Sequence, residues 1–212
     1  ALVLCWLITW NPRFWSNTTI GGRVLAGIAL GIVAVIGMNS PVTLFQGIIF
    51  DIRLIVINAA TLFGGPITGA TTAIIAAAFR LYVGGIGAPT GVMSILSAFT
   101  IGVAFHYAIK QKWISANGIS FFLMGLLTHS TLLVLVYLTL TTTAFQNIQF
   151  LAVELLLLPV ANLLLCLLMQ HQQKQMTAAE ETKRALARLN TISEAIPDLL
   201  LVLDENGKYL EI

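Results

Sequence analysis

Long apolar runs separated by short polar breaks fill the first 170 residues of the chain. A spanning helix needs about 20 mostly apolar residues, and six of the runs are close to that length. They lie near residues 20–38, 45–63, 66–83, 91–109, 119–141 and 148–170, after a shorter apolar segment at residues 1–10. The pattern predicts an all-α polytopic membrane helix bundle of six spans, preceded by a truncated first span.

The composition agrees with a membrane protein. Hydrophobic residues make up 58% of the 212 residues and charged residues 9%, and the mean hydropathy is +0.90, whereas an average soluble domain is about 25% charged. The two cysteines, Cys5 and Cys166, both fall in apolar segments, so we expect neither a disulfide nor a metal site. No cofactor motif, catalytic triad or nucleic-acid-binding patch is present in the sequence.

The breaks between the runs predict the connections and the orientation. In "FGGP", Gly64 and Gly65 suit the end of one helix and Pro66 the first turn of the next, which predicts an antiparallel hairpin. Short-loop Lys and Arg mark the cytoplasmic side. Alternating spans place Arg13, Arg23, Lys110, Lys112 and Lys174 on that side. We therefore expect the loops that begin at residues 38, 84 and 141 to lie outside.

Charge becomes more frequent near residue 170, which suggests three parts: a transmembrane domain at 1–170, a helix at 171–195 and a further domain beginning at 196–212. The first part has six Lys/Arg and two Asp/Glu, whereas the remainder has five and seven. Imperfect heptads in 171–195, with Leu186 and Leu189 among the apolar positions, favour a parallel homodimeric coil. A solvated tail is the alternative. The chain begins without Met and ends within a pattern, so we expect it to be part of a longer polypeptide.

The last segment, "IPDLLLVLDENGKYLEI", changes period. An apolar run, a turn at "DENG" and an alternating "KYLEI" predict a β-hairpin. Together with the preceding helix, it resembles the start of a PAS sensor domain of the kind found behind membrane spans in bacterial signalling proteins.

Four charges lie within the predicted spans: Asp51, Arg53, Arg80 and Glu154. A charge at the bilayer centre costs about 2.5–3.5 kcal/mol on insertion scales, so such residues pair, line a cavity or have a function. If the third span enters near residue 46, Arg53 lies about 10 Å deep at 1.5 Å per residue. All four charges are then expected in the outer half of the bilayer.

The sequence around Arg80 predicts an anion site. The following loop, "GGIGAPTG", contains Gly84 and Gly85, whose backbone freedom allows N–H groups to converge on an anion. The next helix begins near Thr90 and Gly91, with Ser94 one turn in, and a helix N-terminus favours negative charge. Arginine suits bidentate contact with a carboxylate. We expect a small anionic or zwitterionic ligand, resembling a carboxylate or an amino acid.

Packing is the alternative explanation of these polar residues. Asp51 and Glu154 offset the charges of Arg53 and Arg80, so the four side chains can form a neutral network that locks the bundle. His129, Asn58 and Asn162 are expected to form hydrogen bonds between helices rather than to bind a ligand. The close pair Gly27 and Gly31 suits tight helix packing.

The string "FDIR...ATLFGGPITG...AFRLYVGGIGAPTG" resembles the membrane sensor of LytS-YhcK type five-transmembrane receptors over most of residues 20–170. The resemblance implies ligand positions at Arg53, at Arg80 and at the start of the fifth span around Gly91 and Ser94. The kinase branch of that family has "Asn-Thr-Arg" and a Ser-Cys pair, whereas this chain has Asp51-Ile52-Arg53 and Thr90-Gly91. A ligand of the kinase branch is therefore not carried over.

These observations predict a bacterial inner-membrane receptor that binds its ligand from the periplasmic side and has a cytoplasmic C-terminus. The signal would pass through a dimeric helix and a PAS domain to cyclic-di-GMP synthesis or hydrolysis, with a histidine kinase of a two-component system as the alternative output. Glu154 is expected to couple the site to the exit helix. The sequence contains no catalytic residues, so enzymatic activity is left open. The rival interpretations are a substrate-binding transporter subunit and a membrane anchor.

Overall fold

The computed structural model describes residues 19–39, 42–45, 48–50, 52–140, 151–195, 202–203 and 209–210. The chain divides into two compact units, Ala1–Gln172 and Gln173–Ile212. Within the described residues, five helices are long and apolar enough to cross a membrane. The all-α membrane bundle predicted from the sequence is confirmed, while the apolar segment at 1–10 lies outside the described residues.

The elements follow one another in a simple order. The first unit contains α1, β1, β2, α2, α3, α4 and most of the membrane part of α5, which begins with a π-helical turn and continues as an α-helix into the second unit. The bounds are α1 Ile20–Asn39, β1 Val42–Phe45, β2 Ile48–Phe50, α2 Arg53–Val83, α3 Ala88–Lys110, α4 Gly118–Leu140, and α5 Val153–Leu157 followed by Leu158–Ala195.

Helix α2 reverses direction at Gly65, whose φ of 82° and ψ of 177° are non-helical. A Cβ on Gly69 would overlap the Thr61 hydroxyl and lie 2.9 Å from the Thr61 Cα, although residues eight apart in a straight helix are separated by about 12 Å. Pro66, directly after the break, has no N–H to leave unsatisfied. The predicted hairpin is therefore confirmed, and we call residues 53–64 the first arm and residues 66–83 the second arm.

The predicted third span at 45–63 is wrong in its first half. Strands β1 and β2 pair antiparallel there, with Val42 opposite Phe50, and the helix begins only at Arg53. An apolar run does not by itself distinguish strand from helix, and the β-branched residues of "VTLF" and "II" favour a strand. The first arm is therefore about 18 Å long, which is too short to span about 30 Å of hydrocarbon.

The first arm lies inside the bundle. Every residue from Arg53 to Leu62 is buried, as expected of a helix that is apolar on all sides. It runs parallel to α3, because Thr61 lies against Gly102 and the Leu62 carbonyl lies 2.8 Å from Nδ1 of His106. His106 thus contacts the hairpin turn.

Helix α1 runs parallel to the second arm at close range. The Thr68 hydroxyl donates to the Arg23 carbonyl at 3.1 Å, and the Thr72 hydroxyl donates to the Gly27 carbonyl at 3.1 Å. A Cβ on Gly27 would lie 2.6 Å from the Thr71 Cβ, and one on Gly31 would lie 2.8 Å from the Ile75 Cδ1. The predicted close packing at Gly27 and Gly31 is confirmed.

These directions define two ends of the bundle. The lysine end contains the Gly65 turn, Lys110 and Lys112, because the first arm and α3 both end there. The arginine end contains Arg53, Arg80 and the connection at residues 84–87, because the first arm begins and the second arm ends there. Helix α4 then runs from the lysine end to the arginine end, and α5 packs antiparallel to it.

The second unit contains the exposed end of α5 and one pair of short strands. Leu186 and Leu189, two of the predicted apolar positions of the 171–195 helix, are each more than half exposed, as is Ile192 on the same helix. Strand β3, Val202–Leu203, pairs antiparallel with β4, Tyr209–Leu210. The predicted hairpin is confirmed, and its assignment to a PAS domain stays a prediction.

Gly27→Ala should destabilise the bundle by about 1–3 kcal/mol, because the new methyl group meets the Thr71 side chain and the Thr68 carbonyl in an already packed interface. Thermal unfolding of the detergent-solubilised chain measures this. Gly21→Ala is the matched control, since no atom lies within 4 Å of a Cβ at that position. Equal midpoints for the two variants would show that α1 does not pack as described.

Candidate functional site

Arg53 heads the first arm and is buried, with 9% of its surface exposed. Its Nη1 donates to the Met38 thioether sulfur at 3.5 Å, which ties the arm to the end of α1. No side-chain hydrogen bond caps the arm at Ile52. Arg53 was expected about 10 Å inside a longer span, but it is the first residue of its helix. Its charge therefore lies beside the positive end of the helix dipole, where an anion is favoured.

Arg80 lies in the last turn of the second arm, and its side chain packs against the start of α3. A Cβ on Gly91 would lie 2.6 Å from the Arg80 Nε, and one on Gly87 would lie 3.3 Å from its Nη2. Its Nη1 donates to the Gly84 carbonyl at 3.2 Å. The missing side chains at Gly87 and Gly91 therefore make room for the guanidinium along the α3 N-terminus.

The connection between the second arm and α3 requires glycine for its backbone shape. Gly84 and Gly85 have φ values of 70° and 86°, which other residues rarely adopt. The Gly84 N–H donates to the Arg80 carbonyl at 3.2 Å and the Ala88 N–H to the Gly85 carbonyl at 3.0 Å. The Gly84 amide is thus used to end the second arm, whereas the sequence suggested that it would face an anion.

Helix α3 begins without a side-chain cap at Gly87 and has a proline in its first turn. Thr90 and Ser94 are both buried here. The Thr90 hydroxyl lies 2.7 Å from that of Thr139 on α4, and the Ser94 hydroxyl donates to the Gly91 carbonyl at 2.8 Å. The N-terminal turns of α3 therefore carry two buried hydroxyls and pack against the Arg80 side chain at Gly87 and Gly91; that these residues bind a ligand stays a prediction.

The hairpin places Arg53 and Arg80 at similar heights. Arg53 lies 12 residues before Gly65 and Arg80 lies 15 residues after it, which corresponds to about 18 and 22 Å along the two arms. Both arginines therefore lie at the arginine end, within about one helical turn of each other in height. Asp51 lies outside the described residues.

Glu154 does not join the arginines in the way the sequence suggested. Its Oε2 lies 2.9 Å from Nδ1 of His129 on α4, and both side chains are buried. Within the described residues, this imidazole is the hydrogen-bonding partner of the carboxylate. In the alternative explanation, Glu154 would offset the arginines; the structure instead places it on the face of α5 that packs against α4.

A second polar cluster lies in the same interior. Asn58 of the first arm donates to the Thr128 hydroxyl at 3.0 Å and to the Asn162 side-chain oxygen at 3.2 Å. Asn162 donates in turn to the Phe121 carbonyl at 2.9 Å. The expectation that Asn58, Asn162 and His129 form hydrogen bonds between helices is confirmed.

The sequence did not identify Glu154 as the partner of His129, nor the π-helical turn that carries Glu154. A usable signal was Pro159, which removes a backbone donor from α5 near the glutamate. No group of three or more His, Cys, Asp or Glu that could hold a metal ion occurs within the described ranges.

The comparisons with known proteins identify a family. A family model described as 5TMR of 5TMR-LYT matches residues 13–173. Neither a curated protein nor a solved structure gives a significant match. The matched range contains α1 to α4 and the membrane part of α5, including both arginines.

Asn58→Ala should lower the free energy of unfolding by about 0.6–1.7 kcal/mol, from the average to the largest value for hydrogen bonds between membrane helices, because it leaves Thr128 and Asn162 without their shared partner. Thr100→Ala should have little effect, since that exposed hydroxyl bonds only within its own helix. Thermal unfolding of both variants provides the comparison, and an Asn58→Ala midpoint no lower than that of Thr100→Ala would contradict the assignment.

Proposed function

The chain belongs to the 5TMR-LYT family, and we propose that it detects a small carboxylate at the arginine end of its bundle. Family membership makes it the membrane sensory domain of a receptor, and the five long apolar helices make it a multi-pass membrane protein. Beyond this, we propose a ligand class, the side of the membrane from which the ligand enters, and the output of the receptor.

The observation that carries the ligand class is the arrangement around Arg53 and Arg80. Two arginines at similar height adjoin two helix N-termini without side-chain caps, one at Ile52 and one at Gly87. Guanidinium groups bind carboxylates through paired hydrogen bonds, and helix N-termini add positive potential. The hydroxyls of Thr90 and Ser94 supply polar contacts for a carbonyl or hydroxyl group beside the carboxylate. In this proposal, Asp51, Gly84 and Gly85 also contact the ligand. The Asp51 carboxylate would bind the ammonium group of a zwitterion.

The two arginines contact different helices, and the proposed signalling mechanism depends on these contacts. Arg53 connects the first arm to α1, while Arg80 connects the second arm to α3. A ligand bridging both would favour one packing of these elements over another. Because a ligand shifts a conformational equilibrium only by its differential affinity for two states, this bridging is what would carry the signal. Glu154, at the start of α5, would pass it to the exit helix.

The proposed setting is a bacterial inner membrane, with the arginine end toward the periplasm and the C-terminus in the cytoplasm. Arg23, Lys110, Lys112 and Lys174 support this orientation through the positive-inside rule. The exposed apolar residues Leu186, Leu189 and Ile192 support a homodimeric coil. The β3–β4 hairpin suits the start of a PAS domain that leads to cyclic-di-GMP synthesis or hydrolysis, with a histidine kinase as the alternative. A long exit helix has no evident use in a transporter subunit.

Small carboxylates and amino acids should raise the thermal midpoint of the purified wild-type chain, whereas Arg53→Ala and Arg80→Ala should abolish that response. A ligand present at 100 times its Kd adds about 2.7 kcal/mol to stability. A metabolite panel measured by thermal shift provides the test. Arg188→Ala is the control, because Arg188 lies on the exposed 171–195 helix, and it should respond as wild type does.

Two results would contradict the proposal. One is a panel in which no anion or zwitterion stabilises the wild type. The other is an arginine variant that still responds fully to the best compound. Unfolding of both arginine variants in the absence of ligand would instead favour a structural network.

Gly91→Ala should weaken the response to the same compound without unfolding the protein. The new methyl group would lie 2.6 Å from the Arg80 Nε, so the flexible guanidinium must move away from the α3 N-terminus. The dose dependence of the thermal shift should move to higher concentration by about tenfold, equivalent to about 1.4 kcal/mol. Met93→Ala, at an exposed position of the same helix, should leave the curve unchanged. An unchanged curve for Gly91→Ala would place the ligand elsewhere.

A further inference from the structure

Helix α5 contains a π-helical turn at Val153–Leu157, in the first part of its membrane segment. The Leu158 N–H donates to the Val153 carbonyl, five residues back, where an α-helix would use the carbonyl four residues back. Such turns are rare, occur singly inside α-helices and are frequent at functional sites. The turn in α5 includes Glu154, the acidic partner of His129.

Two hydrogen bonds hold α5 to α4, one within this turn and one beyond it. Within the turn, Glu154 bonds to His129 at 2.9 Å. Beyond it, Asn162 donates to the Phe121 carbonyl at 2.9 Å. Residues eight apart in a regular α-helix point about 80° apart, at 100° per residue. A π turn accommodates one additional residue and so removes about one 100° step, which brings Glu154 and Asn162 to within about 20° of the same face.

The local sequence makes the turn easy to change. Pro159 has no N–H to bond to the Leu155 carbonyl in a regular helix or to the Glu154 carbonyl in a π turn, so neither form gains a hydrogen bond from this residue. The imidazole of His129 is fully buried, and its Nε2 has no hydrogen-bond partner. Among the described residues, the bond to Glu154 is therefore the only hydrogen bond that this ring makes.

We propose that the π turn is a one-residue register switch in α5, held in its π form by the His129–Glu154 hydrogen bond. When that bond breaks, the turn closes to a regular α-helix. The two described helical residues before the turn, Leu151 and Ala152, then rotate by about 100° and shift by about 1.5 Å relative to the part of α5 after it. The switch goes beyond the proposed ligand site and does not require that ligand, because its two anchors lie on α4 and α5 alone.

Distances between spin labels in the complete chain test the switch directly. In a variant with Cys5→Ser and Cys166→Ala, one pair joins Ala152 to Leu138 and a second pair joins Leu164 to Leu123, all at exposed positions. Glu154→Ala should change the first distance by several ångströms, because rotation by 100° at a radius of about 2.3 Å moves a Cα by about 3.5 Å. The second distance should stay the same.

Glu154→Gln is the matched control, since its side-chain oxygen can still accept a hydrogen bond from His129. It should keep both wild-type distances. An unchanged first distance in Glu154→Ala would overturn the switch, and so would an equal change in both pairs, which would indicate movement of the whole helix.

Deletion of Leu156 tests the same proposal even if Glu154→Ala fails to fold. Removing one residue from the π turn should leave a regular α-helix in which Glu154 and Asn162 are seven residues apart, again within about 20° of one face. This variant should keep a thermal midpoint near that of wild type. Deletion of Leu164, beyond both anchors, should abolish cooperative unfolding because it rotates the buried Leu165, Cys166 and Met169 by about 100° relative to Asn162, and closing the π turn cannot correct this without moving Glu154. Equal damage from both deletions would overturn the proposal.

Discussion

The close approach of three helical segments at Thr61 is the contact on which the bundle depends. A Cβ at Gly69 would overlap the Thr61 hydroxyl, and one at Gly102 would lie 2.8 Å from the Thr61 Cβ. The two arms of α2 and helix α3 can therefore come this close because Gly69 and Gly102 have no side chains. That contact, one turn from Gly65, fixes the reversal of α2, buries the first arm and brings Arg53 to the same end as Arg80.

The polar groups of the bundle lie in two places, in the interior and at the arginine end, and their roles differ. Water is absent from a bilayer core, so polar groups there must be satisfied within the protein. Asn58, Thr128 and Asn162 meet this requirement as uncharged hydrogen-bonding partners, and Nδ1 of His129 meets it through Glu154. At the arginine end, Arg53 and Arg80 instead adjoin a thioether, a carbonyl and glycines. Two guanidinium groups beside helix N-termini are the arrangement that a small anion would complement.

Sequence patterns predicted the features that depend on local chemistry. "FGGP" predicted the reversal, because glycine permits a backbone shape that ends a helix and proline suits the first turn of the next. The placement of Arg80 before "GGIGAPTG" predicted its contact with the start of α3. Strands β1 and β2 were missed because their residues are as apolar as those of a span. The partner of Glu154 could not be predicted, since the π turn changes the face on which Glu154 lies and periodicity assumes a regular helix.

The distance between residues 52 and 81 tests the central claim most directly, because the proposed site exists only if α2 reverses at Gly65. Spin labels at Ile52 and Leu81, in the complete chain in a lipid bilayer, would report it by pulsed electron paramagnetic resonance. The account predicts a short distance typical of neighbouring helices, whose axes lie about 8–10 Å apart. A distance near 44 Å, the length of about 29 residues of straight helix, would contradict it.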